Sequence, residues 1–308
     1  IRILNGALLP DGVDTVVLEE DVNSDGSHIA FSGPIKPNSN TRKIGEDVSA
    51  GDVVLDRGTR LGPPEIALLA ATGVTSIPVF SRLRVGVLST GDELAQSGAT
   101  SDPARTYDAN RPMLLSLLRD WNFEPVDLGH VGDDREALKA RLDSSITQVD
   151  AILTSGGASA GDEDHVSAVL GETGTRHDWR IALKPGRPLS LGMWGGVPIF
   201  GLPGNPVAAL VCTLIFARPA LGVLSGGGWH EPTGFLVPAA FSKNKKPGRR
   251  EYLRARLNQD GHVETFASEG SGRISGLAWA DGLVELGDEA QEVTHGTMVR
   301  YIPYPSFR

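Results

Sequence analysis

The spacing of hydrophobic positions changes twice along this chain. Over residues 1 to about 50 the apolar runs are short and scattered, as in Thr15-Val-Val-Leu18, and a polar segment rich in Asn, Ser, Asp and Gly follows from Asn23 to Asn40. This pattern predicts short strands and turns, a mainly-β lobe. Ala50-Gly-Asp52 then turns into the apolar Val53-Val-Leu55, and Pro63-Pro64 opens a helix over Glu65 to Thr72 with Gly73 as its stop. Proline is tolerated in a first helical turn, and glycine favours the reversal after a last one. Residues 51–80 read as a connector.

From Arg84 to about Ser225 short apolar strands alternate with amphipathic helices. The strands are Val85-Gly-Val-Leu88, Pro125-Val-Asp-Leu128, Ala151-Ile-Leu153 and Val197-Pro-Ile-Phe200. Such alternation predicts an α/β fold, a doubly wound and mostly parallel sheet covered on both faces. One helix starts at Asn110 or Arg111 and aligns Leu114, Leu117, Leu118 and Trp121 in a single stripe. Asp133 is the expected cap of the next, with Glu136 completing a capping box. Asn205-Pro206 reads as the cap and first-turn proline of a third. Beyond Ser225-Gly-Gly-Gly228 the runs beginning at Phe235, Glu251, Val263 and Met298 read as strands of a small C-terminal β-barrel. The predicted organisation is a lobe at 1–50, the connector, an α/β domain at 81–228 and the barrel at 229–308.

Length agrees, since 308 residues exceed one ordinary core and imply two or three domains. The 38 glycines and 20 prolines imply many tight turns. A formal net charge of −9 argues against a nucleic-acid partner, which needs a basic stripe, but leaves room for a small anion held by local positive potential. The single cysteine, Cys212, sits in an apolar run, so no intrachain disulfide forms. With no 18-residue apolar span and no signal-like N-terminus, this predicts a cytoplasmic protein away from membranes. The chain starts at Ile1 without Met, so the natural protein is expected to begin earlier.

In an open parallel sheet, ligands bind outside the carboxyl ends of the strands. Three loops there combine small residues with hydroxyls: Ser89-Thr-Gly-Asp-Glu93, Ser155-Gly-Gly-Ala-Ser-Ala-Gly-Asp-Glu-Asp164 and Gly201-Leu-Pro-Gly-Asn-Pro206. Glycines admit backbone N–H groups to an anion, hydroxyls add donors and the following helices contribute their positive ends. The candidate phosphate-binding positions are Thr90, Gly91, Ser155, Gly156, Gly157, Ser159, Gly161, Pro203, Gly204, Asn205 and Pro206. In Leu183-Lys-Pro-Gly-Arg-Pro188, Lys184 and Arg187 flank Gly186 and can bracket an anionic group. Carboxylates gathered beside a phosphate site imply a divalent cation, with Mg²⁺ the natural candidate. Asp92, Glu93, Asp133, Asp134, Asp162, Glu163 and Asp164 supply the acids. Asp133 reads as a helix cap and leaves Asp134 freer to face the site, while Asp162 and Glu163 also suit a helix N-terminus.

Taken in order, the first loop, Tyr107-Asp-Ala-Asn-Arg111, the Ser155 loop, Lys-Pro-Gly-Arg-Pro and Gly-Leu-Pro-Gly-Asn-Pro resemble molybdopterin molybdotransferases of the MoeA and gephyrin E-domain type. Asn40-Thr-Arg-Lys-Ile-Gly-Glu-Asp47 and Ile3-Leu-Asn-Gly-Ala-Leu-Leu-Pro10 extend the likeness upstream, and Pro247-Gly-Arg-Arg-Glu-Tyr-Leu-Arg254 with Gly270-Ser271 extends it downstream. The resemblance implies a homodimeric, Mg²⁺-dependent transferase that inserts molybdate into adenylylated molybdopterin and releases AMP. It implies catalytic roles for Asp164, Asp134, Glu93 and Asp47, the first three also as metal ligands. Asp108 and Asn110 join the cofactor-binding set, Lys184 and Arg187 hold pterin or phosphate groups, and Arg254 with Ser271 binds the molybdate oxyanion. The adenylyltransferase that supplies the substrate is an expected partner. Two related readings are a molybdopterin adenylyltransferase, which resembles the central domain alone, and a scaffold like the gephyrin E domain. The sequence departs from the family pattern at Arg187, usually Lys, at Asn5, usually Thr, and in lacking an N-terminal Met-Asp-Gly segment.

Overall fold

The computed structural model describes residues 1–96, 98, 102–156, 165–173, 176–186 and 188–308. They form two compact units, Ile1–Ile77 and Pro78–Arg308.

In the first unit β1 (Val22–Ser24) and β2 (Ile29–Phe31) make a short antiparallel hairpin inside the segment that the sequence reads as polar turns. Asp25 closes its tip by accepting from the N–H groups of Ser27 and His28 at 2.8 and 2.6 Å. The strand expected at Thr15-Val-Val-Leu18 does not form. Val16 N–H instead donates to Ser39 O at 3.0 Å, and Asn40 Nδ2 donates to Val16 O at 2.9 Å. Asn38 and Asn40 have φ of 65° and 56°, left-handed conformations that no regular ladder accommodates. Val53-Val-Leu55, in the connector, forms no strand, and Val53 is exposed. Helix α1 (Pro63–Ala71) carries its prolines in the first turn, where Glu65 Oε2 accepts from Gly62 N–H at 2.8 Å, and Gly73 follows at φ +77°.

The second unit continues through β3 (Arg84–Thr90), β4 (Leu94–Ala95), β5 (Thr106–Tyr107), α2 (Asn110–Asp120), β6 (Glu124–Val131), α3 (Arg135–Ser145), β7 (Ala151–Ser155) and α4 (His165–Thr173). Next come β8 (Arg176–Arg180), β9 (Leu183–Lys184), β10 (Pro188–Trp194), β11 (Val197–Leu202), α5 (Pro206–Cys212), a π-helical turn (Thr213–Ala217) and α6 (Arg218–Leu224). The remainder is β12 (Phe235–Pro238), β13 (Lys243–Lys245), β14 (Arg250–Leu257), β15 (Val263–Thr265), α7 (Ser275–Trp279), β16 (Gly282–Leu286), β17 (Gln291–Val293) and β18 (Met298–Pro303).

One sheet has the order β6-β3-β7-β11-β10-β8. Its first four strands are parallel and contain the four apolar runs seen in the sequence. The antiparallel β10 and β8 were not foreseen. Arg176-His-Asp-Trp-Arg180 is polar because it lies at the sheet's edge, where a continuous apolar run is not required. Successive side chains of β3 face opposite ways, so Val85 and Val87 join Leu114, Leu118, Leu210 and Leu214 on one face. Leu88 joins Leu138, Leu142, Val166 and Leu170 on the other. Helices therefore cover both faces, the condition for a mostly parallel sheet.

Three local expectations are corrected. The cap of α3 is Asp134, not Asp133: its backbone is extended and its Oδ1 accepts from Glu136 and Ala137 N–H at 2.9 and 3.1 Å. Asn205 occupies the cap position of α5 without a side-chain cap bond. Pro206–Leu224 runs as one helical stretch long and apolar enough to cross a membrane, which the sequence hid behind Arg218. Two thirds of its best window is buried, and Val211, Cys212, Leu214 and Leu221 lie in the core against the sheet.

A second sheet runs β12-β18-β16-β14-β15 and receives β9 as a parallel neighbour of β14. Its outermost strands meet through a bridge between Ala239 and Val263, where Ala240 N–H donates to Val263 O at 2.7 Å. Ala239, Leu253, Ala255, Val284 and Val299 fill its interior.

Candidate functional site

The carboxyl ends of β3, β7 and β11 converge on Asn110, the first residue of α2. Its Nδ2 donates to Ser155 Oγ and to Gly204 O, both at 2.7 Å. A carbonyl partner fixes which way the amide faces, because only the NH₂ group can donate to it. Asn110 Oδ1 is left buried with no protein partner. Beside it Ser89 Oγ donates to Asp108 Oδ2 at 2.7 Å, and Asp108 also accepts from Arg111 N–H and Nε, both at 3.1 Å. Arg111 reaches on to both oxygens of Asp127 at 2.9 Å. Burial alone would push the Asp127 carboxyl up, but the bonds from Arg111 and from Gly129 N–H hold it below its ordinary value. Thr90 and Gly156 abut here; a Cβ at Gly156, whose φ is +97°, would come within 2.6 Å of Thr90 O. Thr90, Asp108, Asn110, Ser155, Gly156 and Gly204 are thus gathered at one rim, with Pro203 buried behind the exposed Gly204 and Asn205.

The acidic loops after β3 and β6 are tied to each other. Asp92 N–H donates to Asp133 Oδ2 at 3.2 Å, and Asp133 N–H donates to Asp92 Oδ1 at 3.1 Å. His130 Nε2 lies 2.7 Å from Gly91 O. Gly91 has φ +124°, and a Cβ there would collide with the Glu93 carboxylate at 2.2 Å, so that side chain folds back over the turn. Asp134 is not the freer carboxylate that the sequence implied, since Oδ1 is committed to the helix cap and only Oδ2 remains. Among the described residues no group of three or more His, Cys, Asp or Glu forms a metal nest. Gly157, Ser159, Gly161, Asp164 and Arg187 lie outside the described residues.

A second cluster adjoins through residues 204–207. Gly186, at φ +108°, packs so closely that a Cβ would sit 2.5 Å from Cys212 Sγ. Burial pushes that thiol up to about 12. Val207 N–H, at the start of α5, donates to Ser271 O at 3.1 Å. The orphan donor that Asn205 does not cap is thus met by the C-terminal sheet's loop. Arg254 on β14 holds that same loop: Nη1 donates to Arg273 O, and Nη2 to Ser268 O and, at 3.2 Å, to Gly270 O. Its guanidinium stacks over Phe266 at 4.9 Å and is only 4% exposed. Burial lowers its proton affinity. Arg254 therefore builds the segment that presents Ser271, instead of standing free toward an oxyanion.

Lys184, carried on β9 beside β14, lines a cavity of about 170 Å³ with Val207, Lys243, Arg254, Ser268 and Glu269. Its Nζ lies 2.6 Å from Glu269 Oε2 and 3.5 Å from Glu251 Oε2. Lys243 contacts the same two carboxylates, Glu251 at 3.0 Å and Glu269 closer still. Lys243, Glu251 and Glu269 were not legible as site residues, because the charged stretch Arg249-Arg-Glu251 at the start of β14 reads as an ordinary polar strand end. Asp47 belongs to the first unit, exposed in a turn.

Comparison with known proteins agrees in residue span with this architecture. Residues 1–73 match the MoeA N-terminal region (domain I and II), 86–222 a probable molybdopterin binding domain, and 237–304 the MoeA C-terminal region (domain IV). A molybdopterin molybdenumtransferase of Haemophilus influenzae is 37% identical over 99% of this chain and 77% of its own length. Molybdopterin molybdenumtransferase 2 of Mycobacterium tuberculosis is 35% identical over 97% and 76%. The crystal structure of a molybdopterin biosynthesis MoeA protein from Pyrococcus horikoshii superposes with a TM-score of 0.80 at 26% identity, covering 99% of this chain and 75% of that one.

Proposed function

This chain belongs to the MoeA family of molybdopterin molybdenumtransferases, and from that premise we propose how its residues take part in the transfer. The substrates are molybdate and molybdopterin carried as its adenylylated form, and AMP leaves as molybdenum cofactor is made. The observation that carries this reading is the Gly-Leu-Pro-Gly-Asn-Pro turn. At Gly204 its carbonyl is held by Asn110 at the strand-end cluster, and the residue that follows the turn, Val207, donates its N–H to Ser271 O beside the lysine-lined cavity. One ligand with a phosphate at one end and an oxyanion acceptor at the other spans such a turn.

The roles assigned to the individual groups are these. Thr90, Gly91, Ser155 and Gly156, with Gly157, Ser159 and Gly161, present N–H and hydroxyl donors to phosphate oxygens. Asn110 Oδ1, a buried acceptor without a protein partner, takes an N–H or O–H of the ligand. Lys184 and Gly186, with Arg187, are assigned to the pterin or phosphate groups, with Pro203 to Pro206 as the floor and Arg254 presenting Ser271 toward molybdate. Glu93 and Asp134 offer hard carboxylate oxygens from neighbouring loops; Asp164 is assigned as a third metal ligand, and a catalytic role is assigned to Asp47 by the family resemblance. That donor set suits Mg²⁺, which keeps several waters and needs few protein ligands; when bound it neutralises phosphate charge. The protein's own contribution is positioning and charge compensation. The organisation proposed is a mainly-β lobe over 1–50, a connector, a molybdopterin-binding domain over 81–228 and a C-terminal barrel over 229–308. The protein acts as a cytoplasmic homodimer supplied by an adenylyltransferase.

The test is incubation with adenylylated molybdopterin, molybdate and Mg²⁺, following AMP and finished cofactor. Molybdate-dependent AMP release is expected, and Asp164→Ala is expected to abolish it. Pyrophosphate release from ATP and molybdopterin in its place would identify an adenylyltransferase and overturn the proposal.

A further inference from the structure

Lys184, Glu251, Lys243 and Glu269 form a closed ring of four alternating charges, each lysine touching both glutamates. The two carboxylates are not equivalent. The Glu251 side chain is 9% exposed and rises from β14, whereas the Glu269 side chain is 46% exposed and stands at the mouth of the cavity. Burial alone would push the Glu269 carboxyl up, yet hydrogen bonds from Lys184 and Lys243 hold it below its ordinary value. The backbone on either side of Glu269 is pinned, because Arg254 holds the carbonyls of Ser268 and Gly270. Rotation of one side chain into solvent therefore opens the ring without moving the loop.

We infer that Glu269 is a built-in occupant of an anion seat between Lys184 and Lys243, and that a tetrahedral oxyanion binds there by displacing it. With Glu269 in place the ring has two cations and two anions and is neutral; with it withdrawn the seat carries one net positive charge. Arg254 does not compete for this role, since its Nη groups are directed at the carbonyls of Ser268, Gly270 and Arg273. Glu251 remains as the fixed counter-ion that keeps both ammonium groups in register. An anion of higher charge density than a carboxylate takes the seat, while weaker anions leave it closed. Glu269 thereby sets a threshold concentration for the oxyanion. This rests on the reading of Lys184 as an anion-binding residue, and it assigns Lys243 to the same task.

Isothermal titration of the intact chain with molybdate, orthophosphate or AMP, in the absence of pterin, tests it. Glu269→Gln is expected to tighten binding of the two free oxyanions about three- to fivefold, the scale of one half-exposed ion pair. Lys243→Met should remove that gain when combined with it. An equal gain for AMP would identify the bound group as a phosphate ester's and overturn the assignment to a free oxyanion. Unchanged or weaker oxyanion binding by Glu269→Gln, repeated in Glu269→Ala, with melting temperatures near that of the parent, would overturn the inference. No turnover is measured, so this outcome is independent of whether the chain releases AMP.

Discussion

Asn110 and Ser155 are 45 residues apart in sequence and joined by a 2.7 Å hydrogen bond, which fastens the first turn of α2 to the end of β7. With its second bond to Gly204, the same amide links three segments at the sheet's carboxyl edge. Asn110→Ala strips partners from a buried hydroxyl and a carbonyl. It is expected to cost about 1–3 kcal/mol, the penalty of unsatisfied buried polar groups. Urea denaturation should show a lower midpoint with an unchanged slope, and an unshifted midpoint would remove Asn110 as the tie.

Glycines at the rim differ in what they tolerate. Gly156→Ala forces a Cβ against the Thr90 backbone in a left-handed conformation and is expected to destabilise by about 1–3 kcal/mol. Gly204 has no heavy atom within 4 Å of an added Cβ and no positive φ, so Gly204→Ala should leave stability within about 0.5 kcal/mol of the parent. If activity falls in Gly204→Ala despite intact stability, the ligand approaches bare backbone there. Thermal melts beside turnover assays separate the two effects.

Asp134 has two duties that one substitution can divide. Asp134→Ser retains a capping oxygen but removes the charge, so stability should change by only a few tenths of a kcal/mol. The Mg²⁺ concentration for half-maximal turnover should rise. Asp134→Ala loses the cap as well and should cost about 1 kcal/mol. An unaltered Mg²⁺ requirement in the serine variant would confine Asp134 to capping α3.

Arg254 and lysine are not interchangeable here, because an ammonium cannot direct two forked nitrogens at three carbonyls or stack flat on Phe266. Arg254→Lys should expose the 268–273 loop to proteolysis and raise the molybdate requirement. A protected loop with normal molybdate dependence would contradict the assignment of Arg254 to presenting Ser271.

Acid should weaken the fold through depressed carboxyls. Asp127 is held down against burial by Arg111, and Asp150 is lowered by Arg84, which donates to it at 2.7 Å. Their contribution is fully present above the unfolded carboxyl value of about 3.9 and is lost as pH falls through the lower folded value. Asp150→Asn should flatten the pH dependence of the melting temperature below about pH 4, where the unfolded carboxyl begins to take up protons. More than a third of each side chain of the Arg84–Asp150 pair is solvent-facing, so the change is modest.

The convergence of Thr90, Asn110, Ser155 and Gly204 at one rim was legible because they sit in contiguous loops at strand ends. The strands before the three small-residue loops are apolar on both faces, as only a helix-covered parallel sheet requires, and that places their ends together whatever the details of packing. The polar edge strand at Arg176–Arg180 and the hairpin at Val22–Phe31 escaped notice because an edge or an exposed hairpin needs no apolar period.

The sequence by itself determined the four apolar strands that form the parallel part of the central sheet, the helices between them and the small-residue loops at its rim. Only the tertiary structure decided how those residues are engaged: that Asp134 caps a helix, that Arg254 grips a loop, and that Lys184 shares its charge with Lys243 and two glutamates. The physical reason is distance along the chain. Periodicity and turn chemistry act within a few residues, whereas Lys184 and Glu269 are 85 positions apart and meet only because β9 lies beside β14.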